Sequence, residues 1–449
     1  MRHSFRDPRS GRARRSRSLD RRTLLTGTVA AAGGAALAGC GEIFAEAEIK
    51  EPDPSHTRFV MTVWGGEADR EAYQARIDLA QEQFPDYEIV LQLIPDANYA
   101  QKVQTMISSD TGPDIMQVAE DINVYSSRAQ MVPLDDMIAE AGIDMDATFG
   151  DVRKGYVFEG STYGIPDRSG AAILYYNRDL FDAKGVEHPT ADWDWDTFLA
   201  AATELTEGKE QFGFGGASWW PLWFSLIEQN GGHVIDPDTG LPQVNSEESV
   251  DALQWAQDLF FTHEVAPSEI DLSNMGPDMG PDGAFEQGLL AMNSTGFWAI
   301  GSLAEGDQNW DVAPFFHGRE QAVSAFGSAL TIPRSARNSR GSFEIIQFLT
   351  GAEGQGPIAS RGQDVPANID VQTSDTFLDP DWMSGDVDLE VFPNSAEMIS
   401  SRQFIPEWNQ MQNTITDATA TFWLGQRDAR EMADDLQERL EAFIGPSTS

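Results

Sequence analysis

What most constrains the fold of this 449-residue chain is a strand–helix alternation that begins at Thr57. Arg58–Trp64 (RFVMTVW) is a β-branched and aromatic run that stops at Gly65-Gly66, the pattern of a buried strand followed by a turn. Glu67–Phe84 spaces Ala72, Ala75, Leu79 and Ala80 at helical intervals and ends before Pro85. Tyr87–Ile94 is a second strand, Tyr99–Ser109 a second helix and Asp114–Val118 a third strand. Three strands separated by two helices predict parallel βαβ units in a doubly wound sheet. Ligands of such sheets sit beyond the carboxyl ends of the strands, which here means Trp64–Glu67, Asn98-Tyr99 and Ala119–Asp121.

Charge divides the chain in two. The whole carries 72 acidic and 30 basic residues, a net of -42, but residues 1–39 hold nine Arg and only two acids. Cys40–Ser449 therefore carries 21 basic and 70 acidic residues, a net of -49. So acidic a body is a poor partner for nucleic acid, whose phosphates select basic surfaces. Hydrophobic residues make up 41% of the chain, ample for packed cores, and the length favours two lobes over one. A single cysteine excludes an internal disulfide framework and any zinc site of several thiolates, and no cofactor is implied.

The basic N-terminus reads as an address. Arg21-Arg22 precedes Leu24-Leu25 and an Ala/Gly stretch that is too short and glycine-rich for a membrane span. That stretch ends in Leu37-Ala38-Gly39-Cys40, which resembles a lipobox, while the arginine pair resembles the export signal of proteins that cross the membrane folded. The chain's only cysteine stands where lipidation would occur. Residues 1–39 are thus expected to be a signal peptide, with Cys40 lipidated and residues 40–56 an acidic, proline-containing tether.

Beyond residue 118 the texture changes. Ala171–Tyr176 is expected to cross to a second lobe; Asp196–Leu205 and Ser249–Phe261 are helical, the latter with Ser246 as a cap. Trp219–Phe224 packs four aromatics into six residues. Asn274–Gly283 reads as a flexible Gly/Pro loop, Asp311–Phe316 and Ala325–Ile332 as strand pieces, Ser342–Leu349 as a helix, and Met411–Ile444 as a helical pair split near Gly425.

Several stretches in order, among them VWGGEADREAYQARIDLAQEQFPDYEIVLQLI, SSDTGPDIMQV, STYGIPDRSGAAILYYNRDLF, FEQGLLAMNSTGFWAIGSL and AFGSALTIP, resemble the extracellular solute-binding proteins of ABC importers, in particular the carbohydrate-binding group. They span nearly all of residues 58–445. The resemblance implies two doubly wound α/β lobes joined by crossing hinge strands (periplasmic-binding-protein-like, type II), with residues 57–166 plus about 307–355 forming the N-terminal lobe and 167–306 plus about 356–449 the C-terminal lobe. It also implies a monomeric receptor, lipid-anchored at Cys40 on the outer face of the cytoplasmic membrane. Such a receptor captures a sugar or oligosaccharide by hinge closure, delivers it to permease subunits and catalyses nothing.

Sugars need orientable polar partners for their hydroxyls and aromatic rings for their apolar C–H faces, and this chain has twelve Trp. The resemblance and the strand-end rule together nominate Trp64, Glu67, Asp114, Glu120, Asp121, Tyr163, Trp219, Trp220, Trp223, Trp298, Phe326, Gly327 and Arg361 as ligand-binding residues. Each has a competing structural reading: Trp64 could be core, Glu67 could serve the helix dipole, Asp114 could be a structural hydrogen-bond acceptor and Arg361 a surface ion-pair partner. The six His residues lack metal-ligand spacing, and the motifs of serine hydrolases, zincins and P-loops are missing from the sequence. A surface glycoside hydrolase, or a receptor of the same fold for a polyamine or phosphorylated polyol, are the alternatives.

Overall fold

The computed structural model describes residues 51–383, 385–395 and 405–445; the expected signal peptide, Cys40 and most of the expected tether lie outside them. Strands β1 (Arg58–Trp64), β2 (Glu88–Ile94) and β3 (Ile115–Val118) pair in parallel, with β1 in the middle. Helices α1 (Glu67–Gln83) and α2 (Asp96–Ser108) make the crossovers. At the entrance to α1, Gly65 takes φ +134, and the Asp69 carboxylate accepts the Gly66 N–H at 2.8 Å. The α1 face carrying Ala72, Tyr73, Ile77 and Ala80 is buried, as its 3.6-residue spacing requires.

A small hairpin, β4 (Val157–Phe158) and β5 (Ser161–Thr162), precedes two consecutive strands, β6 (Ile165–Ala171) and β7 (Ile173–Asn177). β6 belongs to the first sheet and β7 to the second, with Ala172 alone between them. The second sheet also contains β8 (Phe212–Gly215), β9 (Leu290–Thr295) and β10 (Trp310–Ala313), in the order β10-β7-β9-β8. The chain then returns through β11 (Ala325–Thr331), which lies antiparallel between β3 and β6, and a short β12 (Val365–Pro366) pairs with β6. The first sheet thus has the order β12-β6-β11-β3-β1-β2. These are two α/β layers joined by crossing strands, and the antiparallel β6 and β11 modify an otherwise doubly wound sheet.

Sheet membership departs from the residue limits expected for the lobes. The 166/167 limit falls inside β6, β10 lies in the second sheet so that the first resumes at Ala325 and not at 307, and β12 joins the first sheet. Asn274–Gly283 is not wholly loop, because Pro281 starts the short helix Pro281–Glu286. Of the expected 311–316 strand only residues 311–313 pair, in a strand that starts one residue earlier at Trp310, and Phe315 and Phe316 turn into the core.

The second lobe's main core is closed by the helix Trp220–Gln229 and by the C-terminal pair Trp408–Thr419 and Ala429–Glu441. Gly425 splits that pair at φ +68, where a Cβ would come within 3.0 Å of the Phe261 ring. Ser246 accepts the Ser249 N–H at 3.1 Å and caps the helix Glu247–Phe261.

A fully buried polar knot ties α1 to the crossing strand. Arg76 donates to the Asp167 carboxylate at 2.5 and 3.3 Å and to the carbonyls of Gly354 and Leu349 at 2.8 and 2.7 Å. Tyr73 donates its hydroxyl to Asp167 at 2.6 Å, and Gln355 donates to the Asp167 carbonyl at 2.7 Å. With so many charged and polar atoms satisfied at once, the pair tolerates complete burial.

Candidate ligand-binding cleft

A cavity of about 1050 Å³ opens where the two sheets meet, at the top of the ~300–1,000 Å³ range usual for ligand sites. Trp64 reaches it from the end of β1, Asp69 from the mouth of α1, and Glu120 from just past β3, as the strand-end rule anticipates. The crossing strands supply Arg168, Phe326 and Gly327 to its floor. The second lobe supplies Trp219, Trp220 and Trp298, and the segment after Ser360 supplies Arg361, Gln363, Asp364 and, further on, Trp382.

Three rings form one aromatic wall. Trp219 and Trp298 meet edge to face with centroids 5.7 Å apart, and Phe326 lies 5.6 Å from Trp219 and 5.2 Å from Trp298. Trp298 is 49% exposed despite its size. Gly327, at φ +156, allows β11 to press against β6: a Cβ there would fall 2.6 Å from the Arg168 carbonyl. Across from this wall the Trp64 ring rests edge-on against Tyr99 at 5.2 Å.

Among the described residues, six carboxylates line the cavity against two guanidinium groups. Arg168, buried beneath the floor, donates to Asp69 at 3.0 Å and Asp364 at 3.4 Å and lies over the Tyr73 ring at 5.0 Å. Burial opposes its charge, but the Tyr73 hydroxyl, Asp364, Asp69 and Asp167 outweigh it and hold its pKa above the usual arginine range. Gln363 donates to Asp69 at 2.6 Å, which fixes the far side of that carboxylate. Burial pushes Glu120 up to about 7, with the Asp121 charge adding to the rise. It pushes Asp364 up to about 6 against the opposing pull of Arg168. Asp96 is raised by burial and by Asp69. Acids held so high are ready to share hydrogen bonds with neutral hydroxyl groups.

Of the residues nominated from the sequence, Trp64, Glu120, Trp219, Trp220, Trp298, Phe326, Gly327 and Arg361 line this cavity. Asp121 lies on an adjoining compartment, where its carboxylate accepts the Ala119 N–H at 3.2 Å. Four lie elsewhere. Trp223 is 1% exposed in the second-lobe core, with its ring 4.4 Å from Phe224, and has no face for a ligand. Glu67 points to solvent and pairs with Arg70 at 3.2 Å. Asp114 accepts the Val60 N–H at 2.9 Å and stitches β3 to β1. Tyr163 packs on the first-lobe core, and its backbone N–H donates to the Tyr156 carbonyl at 2.9 Å. The nominations omitted Asp69, Asp364, Gln363 and Trp382. Asp69 was within reach of the strand-end rule, one turn past Gly65-Gly66; the other three lie in a stretch with no motif, Gln363 and Asp364 beside the β12–β6 pairing and Trp382 held by its indole N–H to the Ala359 carbonyl at 3.2 Å. Among the described residues no three His, Cys, Asp or Glu side chains converge as a metal site.

Two α/β sheets joined by crossing strands, with an aromatic and carboxylate-lined cleft at the junction, define the class of two-lobed solute receptors. Residues 64–356 match the family model described as bacterial extracellular solute-binding protein, and the chain belongs to that family. It is 28% identical over 194 residues to an arabinooligosaccharide-binding protein of Halalkalibacterium halodurans, a match that covers 41% of this chain and 42% of that protein. It is 23% identical over 347 residues to a maltooligosaccharide ABC transporter solute-binding lipoprotein of Streptococcus pneumoniae, across 74% of this chain and 76% of the other. Its fold matches an ABC substrate-binding protein of Listeria monocytogenes in complex with cycloalternan, with a TM-score of 0.78 and 22% identity over 86% of this chain and 99% of that one.

Proposed function

We propose that the protein is the substrate-binding lipoprotein of a carbohydrate ABC importer, capturing a sugar or oligosaccharide between its lobes and handing it to the permease by hinge closure without catalysis. The carrying observation is the wall of Trp219, Trp298 and Phe326 in a cleft that the carboxylates of Asp69, Glu120 and Asp364 also line, since stacking surface beside hydrogen-bond acceptors is what a pyranose or furanose ring requires. The oligosaccharide-binding relatives support the same reading. The surplus of carboxylates disfavours a phosphorylated solute. Lipid anchoring at Cys40, on the outer face of the cytoplasmic membrane, and a monomeric state belong to this proposal. Calorimetry against a panel of neutral sugars, with chromatography of the recovered ligand, tests it: binding with the sugar returned intact is expected. Released reducing ends would instead mark a hydrolase, and binding of a polyamine alone a different solute.

A further inference from the structure

The rim of the cleft carries charges from both lobes. From the second lobe, the helix Ala299–Glu305 turns one face inward, so that Trp298, Ser302 and Glu305 follow one another along the cavity wall at helical spacing. From the first lobe come Glu71 on α1 and Arg361, which stands at the C-terminal end of the helix Ala352–Ser360 that packs against α1. Glu71, Glu305 and Arg361 are all exposed, and among the described residues none of these three side chains has an ion-pair or hydrogen-bond partner. Resting on the capture reading above, we propose that Arg361 is a clasp at the cleft mouth: as the lobes close, its guanidinium comes to lie between Glu71 of its own lobe and Glu305 of the other and holds the solute-bound form shut.

The distribution of charge carries the proposal. On the floor, Asp69 and Asp364 already accept from Arg168 at 3.0 and 3.4 Å. Asp96 and Glu120 also border the adjoining space beside Trp64. That leaves Glu71 and Glu305 at the mouth, one carboxylate on each lobe, and Arg361 as the uncommitted cation lining the cavity among the described residues. Closure without a cation there would bring two like charges together while water is expelled, and their repulsion grows as the dielectric falls. A guanidinium between them turns that repulsion into attraction, because its planar fork of five N–H donors can serve two carboxylates at once. In the open form the same groups stand in water, where such pairs contribute little. The clasp therefore acts on the closed form and strengthens capture without touching the solute.

A double-mutant cycle separates a clasp from a direct solute contact. Calorimetry on the mature chain from Cys40 onward would use whichever of maltotriose, mannotriose and arabinotriose binds wild type most tightly. Arg361→Gln is expected to bind that sugar about tenfold more weakly and Glu305→Gln about threefold. The double variant should stay near threefold, because removing Glu305 also removes the repulsion, whereas independent losses would multiply to about thirtyfold. Arg361→Lys keeps the charge and should remain within about threefold of wild type. Salt gives opposite signs: going from 0.1 to 1 M shortens the screening length from ~10 to ~3 Å, which should weaken wild type and strengthen Arg361→Gln. All of these positions are exposed, so thermal melts should not move; if Arg361→Gln proves unstable, Arg361→Lys and the salt response of Glu305→Gln still decide, since losing the bridge should leave the latter nearly salt-independent. A thirtyfold loss in the double variant, or unchanged binding by Arg361→Gln, overturns the clasp. Failure of all three sugars to bind wild type overturns the saccharide reading on which the clasp rests, a result distinct from either.

Discussion

Trp298 donates its indole N–H to Asp282 at 3.3 Å. The same carboxylate accepts from Asn293 at 2.7 Å and Thr295 at 3.2 Å, both on β9, so the second sheet positions an otherwise exposed ring over the cleft. A ring held this way has little conformational freedom left to lose when a ligand stacks on it.

Trp298→Ala is therefore expected to weaken sugar binding roughly tenfold while moving the apo melting temperature little, because the side chain is half exposed. Asp282→Ala should weaken binding less, through a looser ring, and rescue by Asp282→Asn would show that the hydrogen bond and not the charge matters. Calorimetry beside thermal melts separates these effects; a collapse of stability in Trp298→Ala would assign the ring to the core.

Trp223 should behave in the opposite way. Its ring is buried among Phe224 and the second-lobe core, and truncation to Ala leaves a large cavity, at a cost of about 3–5 kcal/mol. Urea unfolding of Trp223→Ala is expected to show that loss. Normal stability with lost binding would return Trp223 to the cleft.

The acidic cleft gives a pH signature. Between the ordinary 4.5 and the folded value of about 7, Glu120 keeps its proton in the folded chain and loses it in the unfolded one. The folded state then binds more protons, so the Glu120 contribution lowers stability as pH rises through that window and is absent below it. Glu120→Gln is expected to melt higher than wild type at pH 8 and like it at pH 4. Asp364 should leave a residual slope below about 6 in both proteins. Melting curves that run parallel from pH 4 to 8 would refute the assignment.

Cys40→Ala is expected to release the protein from the membrane, since a lipid chain supplies most of the affinity of such an anchor. Fractionation with an antibody to the folded body measures it, and unchanged membrane association would remove Cys40 from the anchoring role.

The opening βαβ units were legible almost to the residue: β1 is Arg58–Trp64 and α1 is Glu67–Gln83, because strand and helix periods are written locally in which side chains must be buried. The same logic failed at Trp219–Phe224. From Pro221 to Gln229 the helix is buried on every side, so no apolar stripe told the core-facing Trp223 from the cleft-facing Trp219 and Trp220. Asp364 and Trp382 were hidden for another reason. Asp364 reaches the cleft through the pairing of Val365 with Ser169, and Trp382 through its indole N–H to the Ala359 carbonyl at 3.2 Å, contacts that no local pattern records.

The knot of Arg76 and Asp167 bears on how the two lobes can move. Asp167 lies on β6 only five positions before Ala172, where the chain leaves the first sheet for the second. Four donors grip it from α1 and the helix Ala352–Ser360, so this end of the crossing strand is a fixed mount. Under the proposed closure, rotation is left to the few residues beyond the mount and to the matching entry into β11 at Ala325, which pairs with Ala171. The swing of one lobe is thereby aimed like a door on a short axle. Under that closure Trp298 and Trp64 would approach each other along one arc, and a solute would be gripped in a single orientation.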